Sequence, residues 1–463
     1  MATDSSRTLP SGHKGPLDRF LGLAADVQAG EGRTALLLAL NGFLLLAAYY
    51  SIRPLRAGLL LPVLIPLPGG RVLEGPQITS YTGAVFAALF LLIVPLYGSI
   101  AGKVGRIRLI NSTTLFFVTT LIGFFFVGRS GVYPTPVGVA FFLWMGVFNL
   151  MIIAQFWSFA NDLYTPEQGK RLFAIVGFGG SVGAASGALI ASALSRRLGA
   201  MSMMLVGAGT LLLALVISNL IHVRDRNRPR AAKEPAVAAE QPLSGAGGFK
   251  LVLGQRYLLL IGLLTLTVNF VNTNGNYMLN DAVAAMARAS VATAGGLTQT
   301  DIIFSYMAVV DFWQNILSMA IQFLLVSRIF KYLGIGGALF VLPALALGSY
   351  GLFALVPVLS FIRLTKIAEN ATDYSLQNTV RRALFLPTSR AAKYKALHAV
   401  ETFFWRSGDM LSAIAVALVQ WFTLSIRGFA VVNLAIVAIW IILALKLSRE
   451  NRRLTAQAKS AAA

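Results

Sequence analysis

Long apolar runs alternate with short polar breaks along this chain. Twelve runs of about 20 residues stand out, at 34–53, 78–102, 108–127, 134–156, 170–195, 200–222, 257–278, 302–326, 334–355, 357–380, 393–422 and 428–447. A helix needs roughly 20 apolar residues to cross the hydrocarbon core of a bilayer. The pattern predicts an all-α membrane protein with twelve transmembrane helices. The longest polar stretch, 223–256, is rich in Arg, Ala, Pro and Gly and reads as a flexible linker. The expected organisation is an N-terminal segment 1–33, a six-helix half 34–222, the linker 223–256, a second six-helix half 257–447 and a tail 448–463. Within the first segment Leu17, Phe20, Leu21 and Ala24 are spaced for one short interfacial helix, and nothing there resembles a cleaved signal peptide.

Shifting the first half by about 223 residues lays the first run on the seventh and Lys170 on Lys393. Two six-helix halves related by an axis along the membrane normal are the plan of the major facilitator superfamily.

Composition narrows the function. Of 463 residues 56% are hydrophobic and only 12% are charged, about half the charge of an ordinary soluble domain. The net charge is +21, which in a soluble protein would suggest nucleic acid. Here the basic residues sit mainly in loops. With the N-terminus inside, 28 Lys and Arg fall on the cytoplasmic side, 8 outside and three within spans. That bias predicts both termini in the cytoplasm and no nucleic-acid partner. There is no cysteine, and His13, His222 and His398 lack ligand spacing, so neither a metal nor another cofactor is expected. No Walker A sequence and no nucleophile–base spacing occurs, which argues against an ATP-driven pump and against an enzyme.

The polar residues inside the spans carry the functional signal. Arg363, Lys366, Asn370, Asp373 and Gln377 follow at offsets of three and four and share an arc of roughly 80° on one helix face. Thr265, Asn269, Asn272, Thr273, Asn276 and Asn280 form a second stripe, and Asp311, Gln314, Asn315, Ser318 and Gln322 a third. A fourth holds His398, Glu401, Trp405, Asp409 and Ser412, with Arg406 beside it. Ionisable groups at membrane depth are costly and mark a substrate or ion path by default. The competing reading is interhelical hydrogen bonding, worth about 0.6–2 kcal/mol each. Lys366 can pair with Glu369 or Asp373, and Arg406 with Asp409, as structural neutralisers; a proton-exchanging role for Asp311, Asp373 or Glu401 also stays open. Gly179, Gly183 and Gly187 recur every four residues, which suits close helix packing in lipid.

The first run ends Tyr49-Tyr50-Ser51-Ile52-Arg53-Pro54-Leu55-Arg56. Pro54 predicts a kink or a stop there, leaving Arg53 and Arg56 near the outer end. They either snorkel to the interface or clamp an anion, since a guanidinium grips phosphate or carboxylate with two parallel bonds.

Two stretches carry a family resemblance. One is Gln155-Phe156-Trp157-Ser158-Phe159-Ala160-Asn161 followed by Lys170-Arg171-Leu172-Phe173-Ala174. The other runs through Asp373-Tyr374-Ser375-Leu376, Phe385-Leu386-Pro387, Lys393-Tyr394-Lys395-Ala396 and Arg406-Ser407-Gly408-Asp409. Together they resemble the ATP/ADP translocase (nucleotide transporter) family, a twelve-span relative of the major facilitator superfamily. The resemblance implies exchange of nucleotides without hydrolysis, with Arg53, Arg56 and Arg406 contacting phosphates. The sequence departs from the family where an acidic residue is replaced by Asn272, within Asn269-Phe270-Val271-Asn272, and at Ala57; two family lysines appear as arginines.

The reading that results is a secondary transporter moving an anionic solute, a nucleotide or other phosphorylated compound, by alternating access, with ATP:ADP antiport as the implied form. It is expected as a monomer in a bacterial inner membrane. The alternatives are a proton-coupled transporter of a non-nucleotide solute and a membrane binding or assembly protein without flux. The candidate substrate-binding residues are Arg53, Arg56, Asn269, Asn272, Asn276, Asp311, Lys366, Asn370, Asp373 and Arg406. Arg56, Lys366 and Arg406 are expected to face one chamber.

Overall fold

A computed structural model describes residues 15–22, 26–101, 104–132, 134–226, 247–389 and 392–460. Most of the expected linker and most of the N-terminal segment, with Ala24, lie outside the described residues.

The architecture is a bundle of long helices. In chain order these are α1 (Gly32–Leu60), α2 (Gly75–Ala101), α3 (Arg106–Ser130), α4 (Pro134–Leu163), α5 (Pro166–Leu198), α6 (Met203–Arg226), α7 (Arg256–Ser290), α8 (Gln299–Ala338), α9 (Val341–Leu355), α10 (359–383), α11 (392–421) and α12 (Ile426–Ser460). Ten of them are long and apolar enough to cross a membrane. The other two are α9, which is apolar but only 15 residues long, and α10, whose polar stripe lowers its hydropathy. A short helix, Pro16–Leu21, precedes α1, and Gly248–Gly254 precedes α7.

Several boundaries differ from the sequence reading. Pro54 interrupts α1 only locally: Arg53 and Pro54 keep near-helical dihedrals and the helix resumes at Leu55. The first span therefore runs to Leu60, seven residues beyond its expected end, and Arg53 and Arg56 lie within the bundle rather than at its rim. The loop after it holds an antiparallel hairpin, β1 (Leu64–Pro66) with β2 (Val72–Glu74), turned by Gly69 and Gly70 at positive φ. Gly334, at φ 63°, breaks α8 near its end, which separates α8 from α9 close to the expected point. The expected tail 448–463 continues α12 as helix through Ser460. Wide π turns occur at Ile321–Leu325 in α8, Asp373–Gln377 in α10, and Ala392–Ala396 and Val400–Phe404 in α11. Such bulges are enriched at functional positions of helices.

Each half has its own core. Phe117, Phe141, Met145 and Phe148 centre the first; Leu264, Val268, Phe353, Leu376 and Trp440 belong to the second. Phe304 and Ala308 of α8 pack into the first core and tie the halves together. α1 and α5 pack closely along a row of glycines. Gly179, Gly183 and Gly187 lie directly on the backbone of Ala39, Phe43 and Ala47, with no room for a side chain. Van der Waals contact of this kind drives association where lipid removes the hydrophobic incentive.

At their starting ends the same two helices are pinned by charge. Arg171 reaches both carboxylate oxygens of Glu31, at 3.0 and 3.0 Å, and the carbonyl of Asp26. Thr165 and Gln168 form a reciprocal cap at the start of α5. Burial pushes the Glu31 carboxyl up. The bonds from Arg171, the Gln28 N–H and Gln168 outweigh it and hold the carboxyl below the ordinary glutamate range.

Candidate substrate chamber

A chamber of about 750 Å3 lies between α1, α2 and α4 of the first half and α7, α10 and α11 of the second. A side pocket of about 150 Å3 shares Arg53, Arg56, Asn276 and Tyr374 with it and adds Asp311, Gln314 and Asn370. The volume falls in the range of small-molecule sites.

Three guanidinium groups from both halves reach the chamber. Arg53 Nη1 donates to Asp311 Oδ1 at 2.9 Å, an ion pair between α1 and α8. Arg406 lies over Phe90 (4.3 Å to the ring centroid) and Phe86 (5.1 Å) of α2. Its Nη1 donates to Asp409 Oδ2 at 3.2 Å. Asn269 Nδ2 and Thr273 Oγ1 donate to the other oxygen of Asp409, at 2.8 and 3.0 Å. With its carboxylate so held, Asp409 fixes the direction of Arg406. Arg56 lies 4.0 Å over the ring of Phe142, and no carboxylate pairs with it among the described residues. Three cations thus meet two carboxylates, which leaves a surplus of one positive charge.

The remaining wall is aromatic and amide. Tyr49, Tyr50, Phe86, Phe90, Phe142, Trp157, Tyr277, Tyr374 and Trp405 line it together with Asn149, Asn276 and Asn280. The rings hold the guanidinium groups by cation–π contact, which is stronger where water is excluded.

The candidate residues divide into three groups. Arg53, Arg56, Asn276 and Arg406 line the chamber, and Asp311 and Asn370 line its side pocket, where Asn370 Nδ2 donates to Gln314 at 3.1 Å. Asn269 lies behind the wall, bonded to Asp409 and to the Trp405 carbonyl. Lys366, Asn272 and Asp373 lie apart. Lys366 is fully buried and lines neither cavity; its Nζ donates to Asn272 Oδ1 at 2.8 Å and to Glu369 Oε2 at 3.0 Å. Only two of the three cations expected in one chamber are therefore there. The stripe on α10 is divided between neighbours: Arg363 and Asn370 meet α8, while Lys366 and Asp373 meet Asn272 of α7. Arg363, near the start of α10, lies over Tyr306.

Sequence reasoning missed Phe86, Phe90 and Phe142, which hold the arginines, because a Phe in an apolar run carries no signal. It also missed Asn149, whose isolation in the apolar stretch of α4 was a usable one. In a deep network that locks α7 to α11 and α12, Asn274 bonds Asn433 at 3.0 Å and Ser412 at 2.7 Å; Ser412 belongs to the fourth stripe, while Asn274 and Asn433 lie off the stripes.

The end of the bundle that carries the 64–74 hairpin is closed by contacts between the halves. Arg288 pairs with Glu74 at 3.2 Å. Arg71 lies over the Trp421 ring at 5.6 Å, and Tyr81 bonds Gln420 at 3.3 Å. The N–H of Ala200 donates to Asp301 at 2.8 Å, and Ser195 meets Ser305 at 3.0 Å. From beneath this seam the chamber extends to Trp157, toward the opposite end where α1 begins.

Comparison with known proteins bears on both fold and chemistry. No family model matches the sequence. ADP,ATP carrier protein 1 of Chlamydia pneumoniae is 22% identical over 354 residues, spanning 65% of this chain and 64% of that protein. The chain thus matches under two thirds of that relative's length. Among solved structures, the POT family transporter PepTSo superposes with a TM-score of 0.61 at 13% identity, over 92% of this chain and 99% of that one. The nucleoside transporter NupG gives 0.60 at 12%, over 89% and 98%. A bacterial homologue of the human lysosomal transporter Spinster, inward-facing and unoccupied, gives 0.54 at 14%, over 96% and 99%. The chain is a multi-pass membrane protein with the fold of the major facilitator transporters, and in sequence it resembles the ATP/ADP translocases.

Proposed function

We propose that this protein is a secondary transporter of an anionic solute, with nucleotides and other phosphorylated compounds as its substrate class, working by alternating access in a bacterial inner membrane. The observation that carries the reading is the surplus positive charge of Arg53, Arg56 and Arg406 in one chamber between the halves. In a water-poor chamber such a charge attracts an anion far more strongly than it would at a surface. Arg56, paired with no carboxylate among the described residues, is the first ligand for a phosphate. Arg53 and Arg406 add bonds from the two sides. Asn276, Asn280 and Asn149 suit hydrogen bonding to the neutral part of the solute, and Trp157, Tyr374 and Trp405 offer flat surfaces for a base.

The seam at the hairpin end supports a state open toward the end with the termini, which on the charge bias of the loops is the cytoplasmic side. An empty chamber keeps its surplus charge unpaired. Crossing with an anion bound avoids that cost, so the natural mode is exchange. The unit that works is a single chain, since one chain supplies both walls.

The test is counterflow of labelled ADP in proteoliposomes loaded with ADP, ATP or orthophosphate. Uptake that requires internal anion and is lost in Arg56→Ala and Arg406→Ala supports the reading. Absence of uptake with any internal anion, in protein that is folded by its unfolding transition, rejects it and favours a binding or assembly role.

A further inference from the structure

Behind the chamber wall lies a second polar centre that anion binding does not use. Glu369 and Asp373 of α10, each 4% exposed, line a small cavity of about 10 Å3 with Trp440 of α12. Three polar atoms around it have no partner among the described residues: Glu369 Oε1, Asp373 Oδ1 and the indole Nε1 of Trp440, itself 2% exposed. Two acceptors and one donor around a space of that size fit one bridging water. The two carboxylates are not equivalent. Glu369 Oε2 takes the ammonium of Lys366 at 3.0 Å and lies 3.4 Å from the Tyr350 hydroxyl. Asp373 has only a 3.5 Å contact from Asn272 Nδ2. The other charged groups facing this centre are Lys366, already committed to Glu369 and Asn272, and Arg381, whose guanidinium lies over Trp405 at 4.6 Å. Asp311 on α8 is held by Arg53.

We infer that Asp373 binds and releases a proton in the transport cycle, beside the fixed ion pair of Glu369 and Lys366. A buried carboxylate lacking a close donor is relieved by a proton, which turns an acceptor into a hydroxyl that can donate to the bridging water. A metal ion is a poorer occupant. It would have two free carboxylate oxygens for ligands, and the Lys366 ammonium and the indole N–H both oppose it. The centre reaches the chamber through amides: Asn272 Oδ1 accepts from Lys366 and lies 3.4 Å from Asn276 Nδ2, and Asn276 lines the chamber. An anion that bonds Asn276 frees Asn272 to turn toward Asp373, so solute binding and proton binding influence each other. The π turn at Asp373–Gln377 places Asp373 at the bulge itself, where helix geometry yields most easily. The proton site stands on its own geometry; its coupling to an anion rests on the function proposed above.

Infrared difference spectra of the purified full chain, recorded between pH 8 and pH 5 without any solute, test the site directly. A protonated-carboxyl band that grows with acid, shifts on 13C-aspartate labelling and disappears in Asp373→Asn supports it. Should Asp373→Asn not fold, Asp373→Glu decides: the 13C-aspartate-sensitive band must be replaced by one that shifts on 13C-glutamate labelling, and its persistence overturns the site. A spectrum without such a band, or one unchanged in folded Asp373→Asn, overturns it, as does stabilisation by sodium that Asp373→Asn removes. For the coupling, liposomes containing a trapped pH dye are given external ADP. Proton movement that accompanies ADP in wild type and is absent in Asp373→Asn, while ADP exchange persists, supports coupling; ADP flux with no proton movement in wild type overturns it. A titrating band in protein that moves no ADP leaves the proton site standing and rejects the nucleotide reading alone.

Discussion

Arg56 carries more of this account than any other residue, because its charge has a ring beneath it and forms no ion pair among the described residues. Replacing it with Ala removes charge-assisted bonds worth about 1.5–3 kcal/mol, or roughly 10- to 100-fold in anion affinity. Arg56→Lys keeps the charge and loses the planar fork, so its affinity falls between wild type and Arg56→Ala in a titration with ADP. Outside the membrane, Glu31 offers a pH test. Its carboxyl is held below the ordinary range by Arg171, so its contribution to stability is complete above about pH 4.3 and fades as pH falls through the folded value. Thermal unfolding should therefore show Glu31→Gln below wild type from pH 8 to about pH 5, with the gap closing at more acid pH. The residue scale is also where the sequence was hardest to read. Arg53 and Arg56 stand out as a motif in the sequence, and their expected place at the outer end of the first span favours snorkelling over clamping. Their position depended on α1 running past Pro54, since a proline late in a helix forfeits one hydrogen bond without forcing a stop when packing holds both sides. The asparagine stripe on α7 proved mixed: Asn276 faces the chamber, while Asn269 braces Asp409 behind it.

At the scale of elements, the pairing of α1 with α5 is the clearest case of sequence specifying contact. The four-residue glycine repeat was legible as a packing surface, and its partner is the backbone of Ala39, Phe43 and Ala47. Gly183→Ala should lower stability by about 1–3 kcal/mol through overpacking. Gly177→Ala, on the same helix with open space around it, should be neutral or gain up to about 1 kcal/mol. Unfolding in detergent compares the two; equal effects would show that helix propensity, not contact, sets the cost. Less legible were α9 and α10. The polar stripe on α10 was found from its spacing, but a shared face does not reveal which neighbour it meets. Here Arg363 and Asn370 meet α8, while Lys366 bonds Asn272 and Glu369 and does not enter the chamber. The hairpin at 64–74 was also unforeseen, although Pro68-Gly69-Gly70 signals a turn; its strands are only three residues long.

For the whole molecule, the hydropathy pattern was enough to give a helical membrane fold, because bilayer thickness leaves few alternatives. It gave no conformational state, which depends on contacts between halves far apart in sequence. The seam through Arg288–Glu74 and Arg71–Trp421 favours one state by an amount that substitution should reduce. The chain has no cysteine, so a single cysteine in place of Ala154 in the chamber reports access cleanly. A membrane-impermeant maleimide should label it from the end with the termini, and labelling from the hairpin end should rise when Glu74→Ala and Arg71→Ala loosen the seam. Unchanged labelling from both sides would mean that these contacts do not hold the halves. The central claim is that the chamber is an anion site built by arginines of both halves. Its most direct measurement is the unfolding temperature of the purified protein against ADP, ATP, orthophosphate and an uncharged nucleoside. Stabilisation at a ligand concentration of 100 Kd is about 2.7 kcal/mol. The account predicts a rise with the phosphorylated anions, little with the nucleoside, and loss of that difference in Arg56→Ala and Arg406→Ala. Equal stabilisation of wild type and both variants, or none by any anion, would contradict it.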